Sequence, residues 1–145
     1  MGVNPLARID AQLAFLCEAD RLKSTLRATT LCDGSRRENS GEHSWHIALY
    51  AMVMAEHANR PVAIDRVIKM LLIHDLVEID AGDTPIHGTQ DPELQARIEA
   101  DAATRIFGLL PPDQAQEFRT LWDEFEAAET DDAIFAKNRL IGFNP

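Results

Sequence analysis

Two metal-competent side chains interrupt an apolar run in the middle of the sequence. His74 and Asp75 directly follow the hydrophobic residues 70–73, where a buried helix would prefer apolar side chains. Glu78 lies three residues after Asp75, so on a helix its carboxylate lies on the same side as the pair. A divalent cation held by an imidazole and carboxylates lowers the pKa of water and screens phosphate oxygens. These residue types therefore suit metal-assisted hydrolysis.

The His74-Asp75 pair alone does not establish a metal site, because a core histidine beside a salt-bridged aspartate gives the same dipeptide. Two further motifs favour the metal interpretation: ENSGEHSWH at positions 38–46, which contains His43, and EIDAGD at 78–83. Adjacent side chains on a helix point about 100° apart, so a third ligand must come from another segment. His43 is the candidate, whereas His46 is more typical of a packed or exposed side chain than of a fourth ligand.

Together these motifs resemble those of the HD-domain metal-dependent phosphohydrolases and, within them, the YfbR-like 5′-deoxynucleotidases. The resemblance covers roughly residues 6–137, with the E-H-S stretch at 42–44, the HD pair at 74–75 and E-x-x-x-G-D at 78–83. It implies that His43, His74 and Asp75 bind a divalent transition metal, which could be Co, Mn, Ni, Fe or Zn. Two imidazoles make magnesium less suitable.

The resemblance also implies a reaction. Metal-bound water would attack the phosphorus of a (deoxy)nucleoside 5′-monophosphate and release inorganic phosphate. Glu78 would assist proton transfer, Asp83 would belong to the catalytic group, and Asp83 and Thr84 would contact the nucleoside sugar. Arg27 would orient the substrate phosphate, with the pair at 36–37 as the competing arginines.

Two departures from the family pattern leave alternatives open. Ala28 stands where the related deoxynucleotidases have a tryptophan near the sugar, and the segment 135–140, FAKNRL, lacks the aspartate that completes the family's metal shell. The C-terminal end of this chain is therefore altered or truncated, or water fills that coordination position. The alternative functions are an HD phosphohydrolase acting on another nucleotide phosphate ester and a catalytically degenerate HD-fold binding module.

The elements that must position these residues are helical. Three- and four-residue spacing of apolar side chains predicts an all-α fold of about six helices in a single domain over 1–145, and the resemblance implies that this fold is an HD-domain helical bundle. We expect helices over about 6–22, 41–58, 62–80, 91–107, 113–128 and 131–140, a loop over 28–41, and Ser40 as a helix cap. The first helix should turn its apolar side chains to the core: Leu6, Ile9, Leu13, Leu16 and Cys17.

Composition narrows the possible partners. A net charge of −10 in 145 residues argues against binding a nucleic-acid polymer, which needs clustered Lys and Arg. The longest apolar run is too short for a membrane span, and Cys17 and Cys32 form no disulfide framework, so we expect a cytoplasmic protein. The family resemblance implies a small nucleotide substrate and a homodimer.

Overall fold

Helices make up most of the chain, which confirms the predicted all-α class. The computed structural model describes residues 4–82 and 91–141. The helices are α1 (Pro5–Ala19), α2 (Ser40–Met54), α3 (Ile64–Ile73), α4 (Glu78–Ala81), α5 (Pro92–Phe107), α6 (Pro112–Ala127) and α7 (Asp131–Ile134), which continues as a π-helix over Phe135–Leu140. No helix in these two ranges is long and apolar enough to cross a membrane.

Helix α3 lies at the centre of the bundle, because the core side of α3 is strongly apolar and packs against α2, α6 and α7. Val67, Met70 and Leu71 are all fully buried. The Arg66 side chain donates to the carboxylates of Glu124 at 2.7 Å and Asp132 at 2.8 Å and so joins α3 to α6 and α7. The C-terminal end of this central helix is where the functional motif begins.

The prediction that the apolar side of α1 faces the core was wrong. Leu6, Ile9, Leu13 and Leu16 are 49–70% exposed, and the buried residue of α1 is Phe15. Helix α1 instead turns the face of Arg8, Gln12 and Phe15 towards α5 and α6, with Arg8 paired to Asp113 and Gln12 donating to Gln114. The packed face therefore combines one buried aromatic ring with polar contacts, which the spacing of the apolar residues did not indicate.

The loop predicted over 28–41 contains a small hairpin that we did not foresee. Strand β1 (Leu26–Thr30) pairs antiparallel with β2 (Arg37–Asn39), with Leu26 opposite Asn39 and an irregularity before Thr30 meets Arg37. Both strands are short and polar, so they carry little of the alternation that marks a half-buried strand. Alternation is present in the structure, however, and it turns Arg27 and Glu38 inward.

The helix predicted over 62–80 is tightened near its end. Helix α3 ends at Ile73, and the next amides bond to carbonyls three residues back, as from Leu76 to Ile73 and from Glu78 to Asp75. Such spacing is that of a 3₁₀-helix, in which side chains at i and i+3 eclipse. The tightening places Asp75 and Glu78 on one side of the chain. Gly82, at a φ of 80°, then ends α4.

Candidate metal centre

Three predicted metal ligands meet in a buried cluster between α2 and the end of α3. The Nε2 of His74 lies 3.2 Å from one oxygen of Asp75, and the Nε2 of His43 lies 3.7 Å from the other. One ligand atom from each residue lies within 4.8 Å of the others, and no further such group occurs among residues 4–82 and 91–141. The three residues are only 1–7% exposed.

The start of α2 positions His43. Asn39, rather than the predicted Ser40, is the N-cap, and its side chain accepts a hydrogen bond from the Glu42 amide at 2.8 Å. Glu42 reaches back to Asn39, which completes a capping box. Because the cap defines where the first turn begins, His43 emerges one turn into α2 and points inward.

The orientation of His74 can be read from its contacts. Its Nδ1 lies 2.5 Å from the carbonyl oxygen of Leu71. A carbonyl oxygen can only accept, so Nδ1 carries the proton and the lone pair of Nε2 points to Asp75. The ring of Phe125 on α6 packs against the imidazole, with 5.1 Å between the centroids. Both contacts fix the ring in the orientation that a metal ligand needs.

Burial keeps both imidazoles neutral. Desolvation lowers the pKa of His43 to about 3, with a further contribution from the nearby charge of Arg27. Desolvation likewise lowers the pKa of His74 to about 4, although its hydrogen bond to Leu71 acts in the opposite direction. Neutral imidazole is the form that binds a metal. Two neutral nitrogens around a buried carboxylate therefore fit a divalent transition metal.

Arg27 is the arginine that reaches this cluster. Its Nη1 lies 3.5 Å from Asp75 and its Nε 3.3 Å from Glu38, and its side chain is only 17% exposed. The competing Arg36 instead pairs with Glu42 at 2.8 Å and 2.9 Å. The other competitor, Arg37, donates to the backbone carbonyl of Arg27 at 2.7 Å. Of the three candidates, only Arg27 lies against a predicted metal ligand.

Glu78 lies on the same side of the chain as Asp75 and is held by a residue that sequence reasoning had assigned differently. The fully buried hydroxyl of Ser40 donates to Glu78 Oε2 at 2.8 Å. This bond orients the Glu78 carboxylate beside the cluster. The predicted sugar contacts, Asp83 and Thr84, lie outside the described residues.

Sequence reasoning missed two further residues of this site. Glu38 is a buried carboxylate beside Arg27 and His43, and Phe125 packs on His74. A carboxylate in a polar stretch carries no signal of burial, and a phenylalanine on an amphipathic helix is typical of any core. The alternating burial of β1 and β2 that turns Glu38 inward is visible only in the structure.

The C-terminal segment contributes no carboxylate to the cluster within the described residues. Phe135, Ala136 and Leu140 fill the core, whereas Asn138 is exposed. Asp132 is engaged elsewhere, since its carboxylate accepts from the amide of Ala63 and from the Arg66 side chain. His46 also lies apart from the cluster: its ring stacks against Trp45 and contacts Tyr50.

The sequence profile of the HD domain matches residues 19–139 of this chain. The chain therefore belongs to the HD-domain family. Human 5′-deoxynucleotidase HDDC2 is 31% identical over 126 residues, which cover 86% of this chain and 60% of that protein. A 5′-deoxynucleotidase of Pectobacterium atrosepticum is 30% identical over 131 residues, covering 85% of this chain and 65% of that protein. These findings confirm the family indicated by the motifs.

Solved structures agree with this HD-domain assignment. A crystal structure of a predicted metal-dependent phosphohydrolase from Magnetospirillum magnetotacticum MS-1 is 55% identical, with a TM-score of 0.83, and covers 92% of this chain and 68% of that chain. A conserved hypothetical protein from Pyrococcus furiosus, 22% identical with a TM-score of 0.65, shares the fold and covers 88% of this chain and 76% of that chain. The present chain spans about half to two thirds of the length of the curated relatives it matches.

The lowered histidine pKa values predict a pH-dependent stability of the metal-free protein. Unfolded histidines titrate near pH 6.5, so between pH 6.5 and about 4 the unfolded chain binds more protons than the folded one. Stability should therefore fall from pH 7 to pH 5, by about 2 kcal/mol for each of the two histidines. Urea unfolding at pH 7 and pH 5 should show that the free energy of unfolding falls less in His43→Gln than in the wild type. A loss as large as in the wild type would contradict the assignment, and the exposed His57→Gln serves as the matched control.

Proposed function

We propose that this HD domain, over residues 1–145, is a metal-dependent phosphohydrolase that releases phosphate from (deoxy)nucleoside 5′-monophosphates. The observation that carries the proposal is the buried meeting of His43, His74 and Asp75. The lone pair of the His74 Nε2 faces an Asp75 carboxylate oxygen at 3.2 Å, and a divalent cation bound between these two acceptors would stabilise the arrangement. The relatives named 5′-deoxynucleotidases support the substrate class.

The proposed reaction divides between the cation and the protein. A divalent cation supplies Lewis acidity at the phosphate and makes water a better nucleophile. Arg27 presents a guanidinium whose planar donors match phosphate oxygens, and its contacts with Glu38 and Asp75 fix its place beside the residues that would hold the cation. Glu78, oriented by Ser40, takes the proton of the attacking water.

The physiological cation would be a transition metal. Two imidazole nitrogens and one carboxylate suit Mn, Fe, Co, Ni or Zn, and hard magnesium prefers oxygen ligands. Three protein ligands leave coordination positions for water and substrate, as catalytic sites require. Asp83 and Thr84 remain our candidates for the contact with the nucleoside sugar.

Phosphate release tests the proposal directly. Metal-stripped protein would be resupplied separately with Co, Mn, Zn or Mg and assayed on matched deoxyribonucleoside and ribonucleoside 5′-monophosphates. We expect a transition metal to restore activity and nucleoside monophosphates to be better substrates than cyclic nucleotides or nucleoside triphosphates. A preference for another phosphate ester would instead support the alternative of an HD phosphohydrolase with a different nucleotide substrate. If the protein binds metal but releases no phosphate with any of the metals, the result would favour a binding module.

A matched pair of acids on α4 tests the role of Glu78 in the same assay. Glu78→Gln should lower kcat about 10²- to 10⁴-fold while the metal stays bound. Asp80→Asn is the control, because this exposed carboxylate pairs with Arg105 at 2.7 Å, away from the cluster. Equal activity in the two variants would remove Glu78 from the mechanism.

We further propose that the protein is a cytoplasmic homodimer, with the exposed apolar stripes as candidate interfaces. One stripe on α1 contains Leu13, 57% exposed, and one on α2 contains Met52, 63% exposed. Exposed apolar surface of this kind is typical of association sites. Sedimentation equilibrium should give a dimer, and either Leu13→Glu or Met52→Glu should weaken it. A monomeric wild type at about 100 μM, far above the Kd expected of a specific dimer, would contradict the proposal.

A further inference from the structure

A buried carboxylate of the hairpin connects the two halves of the site. Glu38 lies on β2 with its side chain 9% exposed, and it takes no part in the chemical steps of the proposed reaction. Burying a charged carboxylate is unfavourable unless cationic or donor groups compensate it. The groups around Glu38 therefore indicate what it does.

The first of these groups is Arg27, directly across the hairpin. Arg27 follows Leu26 on β1, Glu38 precedes its pairing partner Asn39 on β2, and both side chains turn to the inner side of the hairpin. The Nε of Arg27 lies 3.3 Å from Glu38 Oε2. The guanidinium thus holds the Glu38 carboxylate in one place.

The second group is the imidazole of His43. Glu38 Oε2 lies 3.8 Å from the Nδ1 of His43, while the Nε2 of the same ring faces Asp75 at 3.7 Å. Glu38 is not a member of the cluster whose ligand atoms lie within 4.8 Å of one another. Its carboxylate therefore lies behind the imidazole, on the side away from Asp75.

His74 shows a similar arrangement at a shorter distance, 2.5 Å against 3.8 Å. There a backbone oxygen, that of Leu71, accepts from Nδ1 and leaves Nε2 directed to Asp75. Histidines that bind metals are commonly oriented in this way by a carboxylate or a carbonyl behind the ring, and loss of that partner weakens metal binding about 10- to 100-fold. Glu38 is placed to give His43 the same support.

We propose that Glu38 is a positioning residue that holds His43 as the Nδ1–H tautomer, with Nε2 directed to the metal, and that Arg27 holds Glu38 in turn. This inference rests on the proposed metal site. It does not depend on which phosphate ester is hydrolysed.

The first test measures metal affinity rather than activity. Metal-free Glu38→Gln, which keeps the shape of the side chain and removes its charge, would be titrated with Co²⁺ by calorimetry and by the visible absorption of the cobalt centre. We expect a Kd about 10- to 100-fold higher than in the wild type. Glu42→Gln is the matched control, since glutamine preserves a capping box and the residue pairs with Arg36 at the surface; its Kd should stay within about twofold. If Glu38→Gln is fully folded and its Kd for Co²⁺ also stays within about twofold of the wild-type value, the proposal is overturned.

A second measurement needs no substitution and remains decisive if Glu38→Gln fails to fold. In zinc-loaded wild-type protein, two-bond ¹H–¹⁵N correlation spectra report which nitrogen of each histidine carries the proton. The proposal requires a proton on Nδ1 of His43 and the metal on Nε2; the opposite assignment would overturn it. If the wild type binds no metal, the proposed function and this inference fail together. If it binds metal with His43 in the opposite orientation, only the inference fails.

Discussion

The structure depends on how the buried carboxylate of Asp75 is accommodated between two neutral imidazoles. A carboxylate that is 7% exposed faces the Nε2 atoms of two histidines, and the one on His74 presents a lone pair because its Nδ1 is bonded to Leu71. Neutral nitrogen and charged oxygen are both acceptors, and at short range in a dry site they repel unless a cation joins them. The metal is therefore expected to be part of what makes this core stable, as well as of its chemistry.

Several unrelated features of the fold meet this one requirement. The capping box at Asn39 sets the inward direction of His43, and the tightened stretch after Ile73 lines up Asp75 with Glu78. The hairpin brings Arg27 against Asp75, where its positive charge offsets part of the negative charge of the carboxylates. The Arg27 guanidinium thus lies between the carboxylates of Glu38 and Asp75, so neither carboxylate is buried without a cationic neighbour.

The sequence predicted which three residues meet in the cluster, but it did not predict what surrounds them. His43, His74 and Asp75 could be named because their motifs together are more specific than any one of them, and the family that the motifs indicated is confirmed by the match over 19–139. Glu38 could not be predicted as a site residue. Its burial results from the pairing of β1 with β2, and short polar strands have no sequence pattern that predicts such pairing. The apolar stripe of α1 misled for a related reason: periodicity identifies a helix, but it cannot say which of two faces finds a partner.

The most direct test of the account is the position of the metal itself. Crystals of zinc-loaded protein, measured at the zinc absorption edge, would show the ion as an anomalous difference peak. The account predicts one peak per chain at about 2.0–2.2 Å from the Nε2 atoms of His43 and His74 and from a carboxylate oxygen of Asp75. A peak bonded to other residues, or to the Nδ1 of either histidine, would contradict it.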